Sequence, residues 1–256
     1  MKKVLVTVLL CVLAFTGLAA QSKKLGAMSL SGVTGLYVVP TGYLGWGDAD
    51  LGFNAGYHMH FVDGNLEDLF QANMSFFKLF EVAATYVGQS NDNDDDLHIG
   101  AKFRLPVSNT DIALGGNLVY NNFGSSGNHF GGQIYAALSY RAEMFGMPAE
   151  TTLVFGKSFY EGTKIDSNID FGMGFDLVIF PKVLNNFLHW TTDFSNYGAI
   201  ANMSPNRGSV NTGLRVDLSQ LPALGKFNFL IDLYLTDAFD AHDRNFGLGA
   251  VFGMKF

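Results

Sequence analysis

Apolar residues recur at every second position through most of this chain. At its C-terminal end, Phe246, Leu248, Ala250, Phe252, Met254 and Phe256 alternate with Asn245, Gly247, Gly249, Val251, Gly253 and Lys255. Successive side chains of a strand point to opposite faces, so this run has one apolar face and one small or wet face. Residues 49–61 repeat the pattern, with Leu51, Phe53, Ala55, Tyr57, Met59 and Phe61 on one face. Asp50, Gly52, Asn54, Gly56, His58 and His60 fall on the other. Twelve such segments are read along the chain: 49–61, 69–76, 81–88, 97–107, 112–120, 129–140, 151–160, 169–180, 187–194, 210–218, 227–236 and 245–256. The third is weakly patterned and the seventh is ambiguous in phase. Most are near the roughly 9–11 residues that a tilted strand needs to cross a bilayer.

A soluble β-sandwich also alternates, but with polar residues outward and a greasy core. Here the face opposite the apolar one carries Asp, Asn, Gln, His, Lys and Gly, which fits one closed sheet with a wet interior. No segment after the first twenty residues has 18 continuous apolar positions, so a helical membrane bundle is excluded. The fold expected is an all-β antiparallel transmembrane β-barrel of about twelve strands, within a range of roughly 10–14.

The start of the chain reads as an export signal over residues 1–20. Lys2 and Lys3 form a basic region, residues 4–15 are apolar but for Thr7, and Gly17 to Ala20 supplies small residues for cleavage after Ala20, with Ala19 as the alternative. The only cysteine, Cys11, lies inside the apolar stretch, so the mature chain has no disulfide and no thiolate metal site. Cleavage leaves about 236 residues, enough for one large domain, and moves the formal charge from −7 to −9. An acidic chain argues against a nucleic-acid partner. A division follows into signal peptide (1–20), an N-terminal lead-in or plug (21–48) and the barrel (49–256).

An alternating last strand ending in Phe256 resembles the C-terminal signature of bacterial outer-membrane β-barrels. That resemblance implies an outer-membrane location, lipid as surroundings, and recognition of the strand from Asn245 to Phe256 by the barrel-assembly machinery. The stretch from Thr34 to Thr41 is similar to the G-L-x-x-x-P-T segment of YjbH-like outer-membrane proteins, which implies a link to exopolysaccharide production. Pro40 and the neighbouring glycines interrupt strand pairing, so this stretch is placed outside the barrel wall.

An even strand count puts both termini on the periplasmic side. Short turns are then expected near 77–80, 108–111, 141–150, 181–186 and 219–226, and outer loops near 62–68, 89–96, 121–128, 161–168, 195–209 and 237–244. Tyr57, Phe61, Tyr120, Tyr140, Trp190 and Phe194 are candidates for interfacial aromatic girdles.

The lumen is where function is sought. The alternation turns Asp50, Glu81, Asp170, Asp176, Asp193, Asp217 and Asp232 inward, against Lys102, Arg104, Lys157, Arg215 and Lys255, with His58 and His60 beside them. One reading is a network of ion pairs that satisfies buried charge. The other is a narrow, weakly cation-preferring pathway. The many inward glycines leave room for water or for a plug. Asp92, Asp94, Asp95 and Asp96 form a candidate divalent-ion loop, since clustered carboxylates suit Ca²⁺. They lack the glycine and the terminal Glu of an EF-hand, so a solvated acidic loop competes. Asp240, His242 and Asp243 resemble the rim residues of omptin proteases, and a His–Asp pair can activate water. Asn128-His129-Phe130-Gly131 lacks the serine of the outer-membrane phospholipase motif.

The expectation is a monomeric porin-like channel for small solutes, without cofactor and without catalytic activity. A non-conducting structural, adhesive or exopolysaccharide-export-associated barrel is the alternative, and a rim protease stands third.

Overall fold

The computed structural model describes residues 26–62, 65–89, 95–107, 110–121, 129–161, 169–197, 208–224, 226–240 and 244–256. The expected signal peptide, Asp92, Asp94, His242 and Asp243 lie outside the described residues. Twelve strands form one closed antiparallel barrel: β1 (Leu51–Val62), β2 (Asn65–Phe76), β3 (Phe80–Gln89), β4 (Asp96–Leu105), β5 (Asp111–Asn121), β6 (His129–Met144), β7 (Met147–Tyr160), β8 (Asp170–Val178), β9 (Leu188–Ser195), β10 (Ser209–Asp217), β11 (Phe227–Thr236) and β12 (Asn245–Lys255). Each strand pairs with its sequence neighbours. Ten pairs from Gly52↔Lys255 to Phe61↔Phe246 close the ring between β1 and β12. Closure removes the free edges that an open sheet exposes, the condition for a sheet to lie in lipid. No described helix is long and apolar enough to cross a membrane.

The alternation read from the sequence sorts the two faces. Outward residues form an apolar belt that includes Leu114, Ile134, Phe155, Leu233, Leu248 and Phe252, all exposed on the outer surface. Tyr57, Phe61, Tyr120, Trp190 and Phe194 are also exposed, whereas Tyr140 is half-buried. Rings on adjacent strands pair across this surface, as in Phe80–Phe103 at 5.0 Å and Phe227–Phe252 at 5.7 Å between centroids. Such pairs reinforce the wall beyond area burial.

The end of the barrel where β1 begins and β12 stops is called the near end. Its connections are tight. β6 and β7 extend further than expected and pair down to Met144↔Met147, leaving only Phe145 and Gly146 in the turn. Both take positive φ (55° and 72°), as the two-residue hairpin turns that match strand twist require, and glycine carries the second without strain. The expected connector at 141–150 is therefore mostly strand. The β8–β9 connection holds a single helical turn, α1 (Pro181–Leu184), and two 3₁₀ turns separate β10 from β11. At the far end, Val62 pairs with Asn65, so the stretch from Asn65 to Asp68, expected as outer loop, is strand.

Residues 26–49 precede β1, and those up to Trp46 occupy the barrel interior. Every residue from Ala27 to Trp46 is buried. The segment carries its own backbone bonds, Leu30 N to Tyr37 O at 2.8 Å and Thr41 N to Thr34 O at 3.1 Å, with short bridges Met28↔Thr34 and Gly35↔Pro40. Gly26 meets Asn228 near the start of β11, and Asp48 meets Lys255 at the end of β12. Both ends of the inserted segment thus sit at the near end, and the chain between them rises into the lumen and returns.

Candidate functional site

The site is the lumen, built from alternate side chains of all twelve strands and filled by residues 26–47. Glu81, at the start of β3, accepts from Thr34 N at 2.6 Å, from Thr34 Oγ1 at 2.5 Å and from Gly45 N at 3.0 Å. Lys102, on the neighbouring β4, lies 3.5 Å from Glu81 and donates to the carbonyls of Thr34 (2.9 Å) and Thr41 (3.3 Å). The register Glu81↔Lys102 makes this pair a direct cross-strand contact.

Asp193 on β9 is the second anchor. One of its carboxylate oxygens accepts three consecutive backbone N–H groups, those of Tyr37 (2.9 Å), Val38 (2.7 Å) and Val39 (3.1 Å). Asn211 Nδ2 holds the other oxygen at 2.7 Å. Successive N–H groups converging on one anion form a nest, here closed over a wall side chain. Gln71 donates to the carbonyls of Ser29 and Leu30, Asn228 to that of Gly26, and Ser139 accepts from Gly42 N.

Apolar side chains of the segment seat where the wall has glycine. A Cβ added at Gly52 would lie 2.2 Å from the Trp46 ring, at Gly100 2.5 Å from Val33, at Gly174 2.5 Å from Leu36 and at Gly172 2.9 Å from Val39. Close approach of these side chains to the wall backbone requires the glycines. Tyr37 stacks on Tyr234 with centroids 4.8 Å apart, and Arg215 lies 5.5 Å from the Tyr37 ring centre. Burial pushes the Tyr37 and Tyr43 phenols well above their ordinary range, so both stay neutral inside the barrel.

The remaining inward charges pair with one another. Arg215 binds Asp232 at 2.6 Å, and His58 Nε2 lies 3.7 Å from the same carboxylate. Asp176 takes His189 at 2.5 Å and Thr191 at 2.7 Å. Asp170 accepts from Gln133 and Ser158, and Asp217 caps the first 3₁₀ turn through Ser219 N at 2.9 Å. His60 stands 3.9 Å from Glu67. At the near end Asp111 bridges Arg104 (3.0 Å) and Arg141 (2.8 Å), and Arg141 reaches Glu150 at 3.0 Å. Asp111, Arg141 and Glu150 were missed because they fall within stretches read as turns. Their signal is one of opposite charges on segments that would pair if the strands ran on.

Two expected lumen residues are elsewhere. Asp50 precedes the first strand residue, Leu51, so the alternation never acts on it. Its carboxylate is 81% exposed and pairs with Lys78 at 3.1 Å. Lys157 shares the outward face of β7 with Phe155, because Thr152 and Val154 are the buried, inward positions. Lys255 sits at the near-end rim, 2.6 Å from Asp48 and 5.8 Å from the Trp46 ring centre. These groups, with Gly26 and Asn228, line a cleft of about 150 Å³ at the near-end mouth. In the acidic loop, Asp95 bonds to the outward Tyr86 hydroxyl whereas Asp96 is buried, so these two carboxylates do not converge. No group of three or more metal-ligating side chains occurs among the described residues.

No protein-family model matches the sequence, and no curated protein matches it. Solved structures are similar in fold. The KdgM porin superposes with a TM-score of 0.52 at 11% identity, covering 79% of this chain and 99% of that one. The KdgM porin in complex with disordered oligogalacturonate gives 0.52 at 10% identity over the same shares. The outer membrane protein Omp33 of Acinetobacter baumannii gives 0.49 at 11% identity, covering 80% and 97%. The KdgM likeness agrees with the closed transmembrane barrel described above.

Proposed function

We propose that this chain is a porin-like channel of the bacterial outer membrane, held closed by its own N-terminal segment. The observation that carries the reading is the seating of residues 26–47 in the lumen on Glu81, Lys102 and Asp193. Lipid-facing apolar strands and the fold shared with porins support the location. The near end faces the periplasm in this reading, since short turns characterise that side of outer-membrane barrels. The conducted species is a small solute with a cation preference. Among the described residues, nine carboxylates are buried against Lys102 and Arg215, with Arg104 and Arg141 half-buried beside Asp111 and Glu150, so a lumen freed of the segment presents net negative charge. The reading gives the protein no reaction to catalyse, and it functions as a single barrel in lipid.

The test is conductance of the mature protein in a planar bilayer, with and without residues 21–47. Near silence in the full chain and steady cation-preferring steps in the truncation are expected. Silence in both overturns the channel. It would favour a structural or export-associated barrel, the second reading, which the dense contact between segment and wall supports.

A further inference from the structure

The polar groups of the wall meet the inserted segment mainly through its backbone. Asp193 takes three amides in a row; Glu81 takes those of Thr34 and Gly45. Lys102, Gln71 and Asn228 donate to carbonyls of Thr34, Thr41, Ser29, Leu30 and Gly26. Both signs of backbone dipole are therefore answered along the length of the segment, as in an enzyme or chaperone groove that accepts polypeptide. The glycines at 52, 100, 172 and 174 are sockets without polar chemistry of their own. The segment enters and leaves at one end, so nothing threads it in place.

We propose that the lumen is a polypeptide-binding site, with residues 26–47 as its resident ligand, and that it accepts a peptide of the same kind supplied from the near side. The ligand class is a peptide loop rich in glycine and β-branched residues, recognised through amides that converge on Asp193 and Glu81 and carbonyls that converge on Lys102 and Gln71. The inference rests on the reading of residues 26–47 as a removable closure.

The experiment keeps the full chain. A protease recognition sequence is inserted between Gly47 and Asp48, where Asp48 is exposed at the mouth, and the refolded protein is cut there. A dye-labelled synthetic peptide of residues 26–47 is the probe. The nicked barrel should exchange its resident peptide for the probe in a saturable manner. An Asp193→Ala barrel should release it at least tenfold faster. A probe N-methylated at Val38, which lacks the 2.7 Å donor to Asp193, should bind at least tenfold more weakly. Equal binding of the N-methylated probe overturns backbone recognition. A resident peptide that never exchanges, in the Asp193→Ala barrel as well, overturns the site. Conductance recorded on the same nicked barrel separates the two readings. Open steps without rebinding of the probe sink only this inference, and silence after the peptide has left sinks the channel instead.

Discussion

Gly52→Ala is the sharpest perturbation of the closed state. The three atoms nearest the new methyl carbon all belong to Trp46, at 2.2–2.4 Å, so the clash falls first on the inserted segment. Overpacking of this kind costs about 1–3 kcal/mol when neighbours can shift. If Trp46 is expelled instead, it gives up about 200 Å² of burial, or roughly 5 kcal/mol. The segment takes the cheaper route, so its seating weakens by about 1–3 kcal/mol, and the unseated population rises by about five- to over a hundredfold. The chain supplies its own reporter. It has two tryptophans, Trp46 buried in the lumen and Trp190 exposed on the lipid face. In a Trp190→Phe background the emission of Trp46 should shift to longer wavelength and become quenchable by acrylamide upon the Gly52→Ala change, while bilayer recordings show longer or more frequent openings. Trp46→Leu in the Gly52→Ala chain should restore closure. Unchanged emission, quenching and conductance would refute the placement of Trp46 against β1.

Lys102→Met leaves Glu81 buried without its counter-charge and should weaken seating by about 3–5 kcal/mol, with Glu81→Gln added to it recovering part of the loss; the Trp46 emission measures both. Leu248→Arg puts a cation on the lipid face of β12 and should destabilise the barrel by about 2–4 kcal/mol if that position lies near the bilayer midplane, read by urea unfolding in lipid vesicles; a loss below 0.5 kcal/mol argues against a lipid-facing wall. An epitope tag placed in the 195–209 loop should be labelled by antibody on intact cells, and labelling only after lysis would invert the orientation.

The barrel was legible because lipid outside and a polar lumen inside write a period of two into each strand. All twelve strands can be read from residues such as Phe70, Ala72 and Met74 against Gln71, Asn73 and Ser75. The reading failed where that period is interrupted. Thr151, Thr152 and Val154 suit either face, so the phase of β7 was open and Lys157 was turned the wrong way. Arg141 and Glu150 pair near the rim, where outward positions cease to be apolar and the alternation fades into what resembles a turn. The contents of the lumen were less legible still. Val33, Leu36 and Val39 look like an ordinary apolar stretch, and Gly100, Gly172 and Gly174 look like spacing. Their fit is a relation between segments more than sixty residues apart, and no local pattern records it.

The inserted segment remains joined to β1 through Gly47 to Asp50 even when it has left the lumen. Reclosure is therefore a unimolecular event, driven by an effective concentration of about millimolar at the mouth. Openings should be brief and should end at a rate independent of how much protein the membrane holds. Changes to the seat at Gly52, Glu81 or Asp193 would then alter how long each barrel stays open and leave the number of barrels able to open unchanged.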